Sequence, residues 1–122
     1  MKTRLVLLIA AGFVSTAHAE GDPAQGERVF NRCVACHSVE AGQNRVGPSL
    51  HGVIDNPSAS VEGFNYSPAM READLVWDDE TLHAFLRDPR ATVPGTSMAF
   101  AGLRDDQQVA DLIAFLRQME DD

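Results

Sequence analysis

Residues 38–67 show no sustained hydrophobic period, and this long stretch limits how the chain can bury a core. It is interrupted by Gly42, Gly47, Pro48, Gly52, Pro57 and Gly63. Loops of this length without secondary structure are uncommon in compact domains and are usually functional. A chain of 122 residues can form only a modest core. We therefore expect the stretch to wrap around a buried group that supplies the missing apolar mass.

A candidate attachment point for such a group lies just before this stretch. The run Cys33-Val34-Ala35-Cys36-His37 has the pattern Cys-x-x-Cys-His, which is typical of c-type haem attachment. In that chemistry two thiols add to the two vinyl groups of haem, and the following histidine is held beneath the iron as its proximal ligand. The motif therefore predicts one covalent haem c, held by Cys33, Cys36 and His37.

Three other uses of the cysteine pair remain open from the motif alone. A thioredoxin-like redox pair requires a βαβ context, which the sequence pattern does not provide. A structural zinc site usually takes four ligands, and the histidines beyond residue 19 are only His37, His51 and His83. A simple disulfide is the third alternative, because exported proteins form disulfides.

The first 19 residues have the pattern of a secretory signal peptide. Lys2 and Arg4 form a basic start, residues 5–14 are almost purely apolar, and Ala17-His18-Ala19 is a small-residue cleavage pattern. The apolar run is shorter than the ~20 residues that span a bilayer, although an uncleaved anchor is the alternative. We therefore expect a signal peptide at 1–19, one domain at 20–122, and a periplasmic protein without stable membrane insertion. Export favours haem, because c-type attachment occurs outside the cytoplasm.

The chain is acidic, with a formal net charge of −8. Removal of the leader would take away Lys2 and Arg4 but no acidic residue, so the remaining domain would be more acidic still. Lys2 is the only lysine of the chain, and the basic residues of the domain are all arginines. Such a protein is a poor candidate for binding nucleic acid or anionic lipid.

Outside the irregular stretch, capping signals and periodicity predict an all-α fold with three main helices and a short one. Asp22 and Pro23 are typical of a helix start, with Gln25 positioned to complete a capping box. We expect this helix to run to about Cys36. Gly26 within it is costly, and close approach of another helix would explain it.

The other expected helices follow the irregular stretch. A short one is expected at 68–72, and Asp78 is positioned to cap a second main helix over 79–88. Residues 89–103 are expected to be irregular. The last helix is expected to begin at Asp105, with Gln108 as its capping-box partner. Its buried stripe would consist of Val109, Leu112, Ile113, Leu116 and Met119.

A haem iron also needs a second axial position, and histidine–methionine ligation is typical of cytochromes c. The methionines beyond the leader are Met70, Met98 and Met119. Met119 belongs to an apolar helical stripe, which favours core packing. Met98 lies in a loop that contains glycine and proline and could reach back to the iron, so it is the preferred candidate.

These segments together resemble class I cytochromes c, which include mitochondrial cytochrome c and its periplasmic bacterial relatives. The resemblance covers residues 21–118. Besides the cysteine motif, its most specific segments are VGPSLHG at 46–52, PGTSMAFAGL at 94–103 and ADLIAFL at 110–116. It implies a small cytochrome c fold, with helices and long loops wrapped around one covalent haem.

The resemblance also implies residue roles. Cys33 and Cys36 would form the thioethers, with His37 and Met98 as metal ligands. Further haem contacts would come from Pro48, Tyr66, Trp77 and Thr96. The Pro48 carbonyl would accept the second ring N–H of His37, Tyr66 and Trp77 would donate to a propionate, and Thr96 would hold the methionine loop. The first and last helices would cross at Gly26, Phe30 and Phe115, and Phe100 would cover the haem near its exposed edge.

Three positions depart from the family pattern in the expected pocket. Phe85 stands where the family usually has tyrosine, and Met70 stands where asparagine is frequent. Asn56 stands where an arginine often meets a propionate. These changes make the expected pocket drier and less hydrogen-bonded.

The resemblance implies an electron carrier that shuttles single electrons between redox complexes. We expect it not to be an enzyme, and we expect it to be a monomer that meets a donor and an acceptor protein. A weak peroxidase or a diatomic-gas sensor are alternatives if Met98 leaves the iron. A dedicated redox subunit of one exported dehydrogenase or reductase is a third alternative.

The charge pattern predicts a docking surface. Arg32, Arg45, Arg90 and Arg104 fall where the family carries basic residues around the exposed haem edge. We expect these four residues, the arginine rim, to face a partner, with the acidic residues on the back. Two alternatives are an acidic face that meets a basic partner, and arginines that merely pair with nearby acids.

Overall fold

The computed structural model describes residues 2–7, 12 and 20–120. Within these ranges it contains helices α1 (Pro23–Phe30), α2 (Pro68–Glu72), α3 (Asp79–Arg87), α4 (Pro89–Thr92) and α5 (Asp106–Glu120). An isolated bridge between Pro57 and Val76 is their only β-pairing. The all-α expectation is therefore confirmed. Most of the expected signal peptide lies outside the described residues, and none of the described helices is long and apolar enough to cross a membrane.

Helix α1 begins as expected, but the backbone N–H of its capping residue bonds to a distant partner. The Asp22 carboxylate accepts a hydrogen bond from the backbone N–H of Ala24 at 2.9 Å. The predicted capping box with Gln25 is wrong, because the Asp22 N–H donates to Oδ1 of Asp111 in α5 at 2.8 Å. The side-chain amide of Gln107 donates to the same oxygen at 2.9 Å. The buried carboxylate of Asp111 therefore fastens the start of α1 to α5.

The end of α1 also differs from the prediction. The helix ends at Phe30 rather than near Cys36. Beyond it the N–H groups of Arg32 and Cys33 bond to carbonyls three residues earlier, at 3.1 and 2.7 Å. This tighter turn pattern carries the chain through the cysteine motif.

The crossing of α1 and α5 explains the glycine in the first helix. A Cβ atom at Gly26 would overlap the carbonyl oxygen of Asp111 and lie 2.7 Å from Cβ of Phe115. The rings of Phe30 and Phe115 pack beside this contact with centroids 5.4 Å apart. The expected close approach of the two helices is confirmed.

The remaining helices largely follow their capping signals. Helices α2 and α3 agree with the expected 68–72 and 79–88 to within one residue. Residues 89–103 are not irregular throughout, because they begin with α4. Asp88 caps α4 through the Ala91 N–H at 3.2 Å, with Pro89 in its first turn. This Asp-Pro pair repeats the signal at Asp22, and it starts a new helix as well as ending α3.

Helix α5 supplies much of the core. Four residues of its predicted stripe, Val109, Leu112, Ile113 and Leu116, are buried, and Met119 packs partly buried against them. The Asp105 carboxylate accepts from the Gln107 N–H at 2.8 Å. Helices α1, α3 and α5 form the core, and the long loops pack over one side of it.

Candidate functional site

A cavity of about 470 Å³ lies between the helical core and the loops. Its lining includes all eight candidate haem residues, namely Cys33, Cys36, His37, Pro48, Tyr66, Trp77, Thr96 and Met98. Trp77 is buried and the other seven are partly buried. We call residues 36–50, which carry the histidine, the His wall, and residues 93–103, which carry the methionine, the Met wall.

The imidazole of His37 is fixed by the His wall. Its Nδ1 lies 2.7 Å from the carbonyl oxygen of Pro48, so Nδ1 carries the proton and donates it. Burial lowers the pKa of His37, although the bond to Pro48 opposes that effect. The ring is therefore neutral at neutral pH, and Nε2 keeps its lone pair. A Cβ atom at Gly47 would overlap the ring, so the backbone there packs directly on the imidazole.

The two cysteines are free thiols, partly buried at the edge of the cavity. Burial raises the pKa of Cys33, and the neighbouring Cys36 raises it further, while Arg32 lowers it. A redox-active pair instead relies on a lowered thiol pKa. The environment of Cys33 is therefore unlike that of a thioredoxin-type nucleophile.

The Met wall is anchored at its two ends. Val93 is 2% exposed and Leu103 is 1% exposed, and the Leu103 N–H donates to the carbonyl of Leu86 in α3 at 2.8 Å. Between these anchors, the Thr96 hydroxyl accepts from the backbone N–H of Met98 at 3.2 Å. The wall thus presents a thioether to the cavity, with one side-chain hydrogen bond beside it.

Tyr66 and Trp77 both line the cavity, and each side chain carries a hydrogen-bond donor. The Tyr66 oxygen accepts from the Val61 N–H at 2.9 Å. Burial raises the pKa of the phenol, and that hydrogen bond lowers it in part, so the O–H stays protonated and can donate. Trp77 packs on Phe85 with ring centroids 4.9 Å apart. Both residues could therefore donate to an acceptor in the cavity.

The three departures from the family pattern have different surroundings. Phe85 is buried and Met70 is partly buried, and both line the cavity with apolar atoms. Asn56 is exposed, lines the cavity and donates its side-chain N–H to the Gly52 carbonyl. The pocket is therefore apolar at Phe85 and Met70, as the sequence suggested.

Sequence reasoning missed two polar residues of the His wall. Ser49 is 2% exposed, and its backbone N–H donates to the side-chain oxygen of Asn44 at 3.0 Å. The only signal in the sequence is their position on either side of Gly47 and Pro48. Nothing in a local pattern indicates that the Asn44 side chain accepts from the Ser49 backbone N–H.

The residues present fit a covalently bound haem. Two thiols stand beside the cavity, a neutral imidazole lines it with Nε2 unprotonated, and a thioether lines it from another loop. The surrounding surface is largely apolar and comes from the core as well as the loops. The fold and site define a class of small helical proteins that enclose a prosthetic group next to Cys-x-x-Cys-His.

Comparison with known proteins identifies the family. Residues 23–120 match the cytochrome c family. Cytochrome c2 from Blastochloris viridis is 44% identical over 117 residues, covering 95% of this chain and 91% of the relative. Cytochrome c2 from Rhodomicrobium vannielii is 44% identical over 119 residues, covering 95% of each chain. Cytochrome cH from Methylobacterium extorquens superimposes with a TM-score of 0.76 at 40% identity, covering 80% of this chain and 99% of its own. This chain belongs to the cytochrome c family.

Family membership settles the general function. The protein is a carrier of electrons with covalently bound haem c, and it works with redox partners. It is not an enzyme, because its cytochrome c2-like relatives are electron carriers. The cysteine pair at 33 and 36 fits the haem-binding motif of the family.

Proposed function

We propose that this protein shuttles single electrons in the periplasm on a haem attached through Cys33 and Cys36, with His37 and Met98 as axial ligands. The observation that carries the proposal is the 2.7 Å bond from His37 Nδ1 to the Pro48 carbonyl. It fixes the tautomer in which Nε2 is unprotonated, which is the form that binds a metal.

When bound, haem supplies an iron that alternates between the ferric and ferrous states. The Pro48 carbonyl would increase the basicity of His37 as a ligand, and Met98 as the second ligand would raise the reduction potential. If His37 and Met98 both hold the iron, the site would need no access for a substrate. Close packing of the side chains around the site would keep structural rearrangement during electron transfer small.

The other lining residues would orient the group. Tyr66 and Trp77 both line the cavity, and each would donate to a propionate. Thr96 would hold the methionine loop through its bond to the Met98 N–H. Asn56 would meet the propionate side without the positive charge of an arginine.

The proposal includes export and a monomeric state. The leader pattern at 1–19 supports cleavage before a domain at 20–122, because it combines a basic start, an apolar run and a small-residue cleavage pattern. The relatives named cytochrome c2 are bacterial proteins. A shuttle exchanges partners rapidly, and a monomer suits that exchange.

The arginine rim is the proposed docking surface. All four of its arginines are exposed. The ion pairs of the described residues instead use Arg87 and His83 with Asp106, and Arg117 with Asp79. Among the described residues no rim arginine takes part in an ion pair, although Arg45 donates to the Val34 carbonyl, so the rim keeps a positive charge that would attract an acidic partner.

Reversal of one rim charge tests this docking surface. Arg32 lines the cavity, and Arg32→Glu should slow electron transfer to an acidic partner by about tenfold at low salt, less at high salt. Arg28→Glu is the matched control, because Arg28 is exposed but does not line the cavity. If Arg32→Glu is as fast as the control, the rim does not dock the partner.

Absorption spectra of protein expressed with a c-type maturation system test the function itself. We expect haem stain that stays with the chain on a denaturing gel, a sharp low-spin ferrous spectrum and the weak thioether-to-iron band. High-spin features and rapid binding of an external ligand would favour the peroxidase and sensor alternatives. No haem on the chain despite competent maturation would overturn the proposal.

A further inference from the structure

The His wall contacts the imidazole of His37 in two ways. The backbone of Gly47 packs on the ring so closely that a Cβ atom there would overlap it. The next residue, Pro48, accepts the Nδ1 proton at 2.7 Å. Any movement of this loop therefore changes both the ring position and the length of that hydrogen bond.

A buried serine holds the loop directly after Pro48. Ser49 is 2% exposed, and its hydroxyl donates to the Glu40 carbonyl at 2.6 Å. The Ser49 hydroxyl oxygen also accepts from the His51 N–H at 3.2 Å. These bonds join Ser49 to the segment that follows the cysteine motif, so the loop is closed on itself next to His37.

A single amide side chain extends this hold to a second loop. The Asn44 oxygen accepts from the Ser49 N–H at 3.0 Å, and its NH₂ group donates to the Glu62 carbonyl at 3.1 Å. The amide uses its acceptor and its donor at once, which fixes its orientation. Asn44 therefore ties the loop that carries Pro48 to the loop that contains Glu62.

We propose that Asn44 and Ser49 are positioning residues that set the hydrogen bond from Pro48 to His37 and, through it, the reduction potential of the bound haem. The proposal rests on the proposed function, because it takes His37 as the iron ligand. Neither side chain lies within hydrogen-bond distance of the imidazole in this structure. Both act through the backbone at Pro48.

The direction of the effect follows from the chemistry of the ligand. A strong bond from Nδ1–H to a carbonyl makes the imidazole a better electron donor, and a better donor favours the ferric state. Loss of Asn44 or Ser49 contacts lets the carbonyl of Pro48 move and weakens that bond. The reduction potential should then rise.

The experiment compares Asn44→Ala and Ser49→Ala with the wild-type holoprotein. Potentiometry gives the reduction potential, and NMR of the diamagnetic ferrous protein gives the exchange rate of the His37 Nδ1 proton with water. We expect both variants to show a higher potential and exchange faster by about tenfold, the factor for a hydrogen bond weakened by ~1.4 kcal/mol. Ser49→Thr keeps the hydroxyl and should restore both values towards those of the wild type.

Gln43→Ala is the matched control, because Gln43 is an exposed neighbour of Asn44 and should change neither value. If both alanine variants lose stability but keep the wild-type potential and exchange rate, the role is merely structural and the proposal is wrong. Should one variant fail to fold, the other decides the question by the same two readings. Failure of the proposed function is a separate result, because it shows in the wild-type spectrum before any variant is made.

Discussion

The His wall and the Met wall hold their candidate iron ligands by different means. On the His wall, a network of side-chain and backbone hydrogen bonds lies within a few residues of the ligand. On the Met wall, Met98 has one such bond, from its own backbone N–H to the Thr96 hydroxyl. That wall depends instead on buried anchors at its ends, Val93 and Leu103.

This difference between the two walls predicts which of them opens first. Local opening concentrates where few buried hydrogen bonds and contacts hold a segment, and the middle of the Met wall has a single side-chain hydrogen bond. Thr96 and Met98 are only partly buried, and Ser97 and Ala99 are exposed. The Met wall should therefore release its ligand under stress that leaves the His wall intact.

The largest effect is expected from removal of an anchor of the Met wall. Leu103→Ala should lower the free energy of unfolding by about 3 kcal/mol, because a fully buried leucine leaves a cavity. Unfolding in guanidinium chloride, followed by circular dichroism, measures this. The matched change on the His wall is Leu50→Ala, where the side chain is only partly buried and the loss should be smaller. An equal loss at both positions would contradict the importance of the end anchors.

An intermediate effect is expected from Gly47→Ala on the His wall. The added methyl group would overlap the His37 ring, and overpacking of this kind should cost about 2 kcal/mol. Gly95→Ala on the Met wall is the comparison, because Gly95 has φ +87° and should cost about 1 kcal/mol from backbone strain. Gly47→Ala should also disturb the His37 Nδ1 proton signal in NMR, whereas Gly95→Ala should not. The reverse pattern would mean that the loop at Gly47 does not control the ring.

A smaller effect is expected from the single hydrogen bond of the Met wall. Thr96→Val removes the acceptor of the Met98 N–H while keeping the shape of the side chain. The loss should be about 1 kcal/mol, and the thioether-to-iron band should disappear at lower denaturant concentration than in the wild type. Thr96→Ser keeps the hydroxyl and serves as the control. A band that persists equally in both variants would show that this bond does not hold the loop.

The smallest effect is a change in pH dependence. The Thr81 backbone N–H, and after it the Thr81 side chain, hold the pKa of Asp78 below its ordinary value. A carboxyl with a lowered folded-state pKa stabilises the fold above its unfolded pKa, and that contribution is lost as the pH falls through the folded pKa. Asp78 caps α3, and the Leu86 carbonyl of α3 accepts the N–H of Leu103 in the Met wall. Protonation of Asp78 in acid should therefore loosen the Met wall before the His wall.

Asp78→Asn separates the titration from the cap, since asparagine caps helices well. Acid titration below about pH 4, followed by the thioether-to-iron band, should give a shallower loss in this variant than in the wild type. Asp74→Asn is a control, because Asp74 is exposed and outside the helices. If both variants titrate like the wild type, the cap of α3 does not govern the Met wall.

Local signals in the sequence predict most of the helices, because caps and apolar periods act over a few residues. The stripe from Val109 to Leu116 and the glycine at the crossing are examples. The capping partner of Asp22 could not be predicted, because Asp111 lies 89 residues away. The start of α4 could have been, since Asp88 and Pro89 carry the same signal as Asp22 and Pro23.

The candidate site likewise has a part that the sequence predicts and a part that it does not. The cysteine motif and the family resemblance point to residues that line one cavity in the structure. The pairing of Asn44 with Ser49 is invisible in the sequence, because it joins a side chain to a backbone N–H across an irregular loop with no period. Contacts of this kind depend on the path of the whole loop.

An NMR spectrum of the reduced holoprotein, recorded during stepwise acidification, tests both candidate ligands and the order in which the two walls release them. We expect an upfield-shifted methyl signal from an iron-bound methionine, absent in Met98→Ala, together with a protected Nδ1 proton of His37. The methyl signal should be lost first, with the His37 proton still protected. A methyl signal that survives in Met98→Ala, or a His37 proton that is lost first, would contradict this expectation.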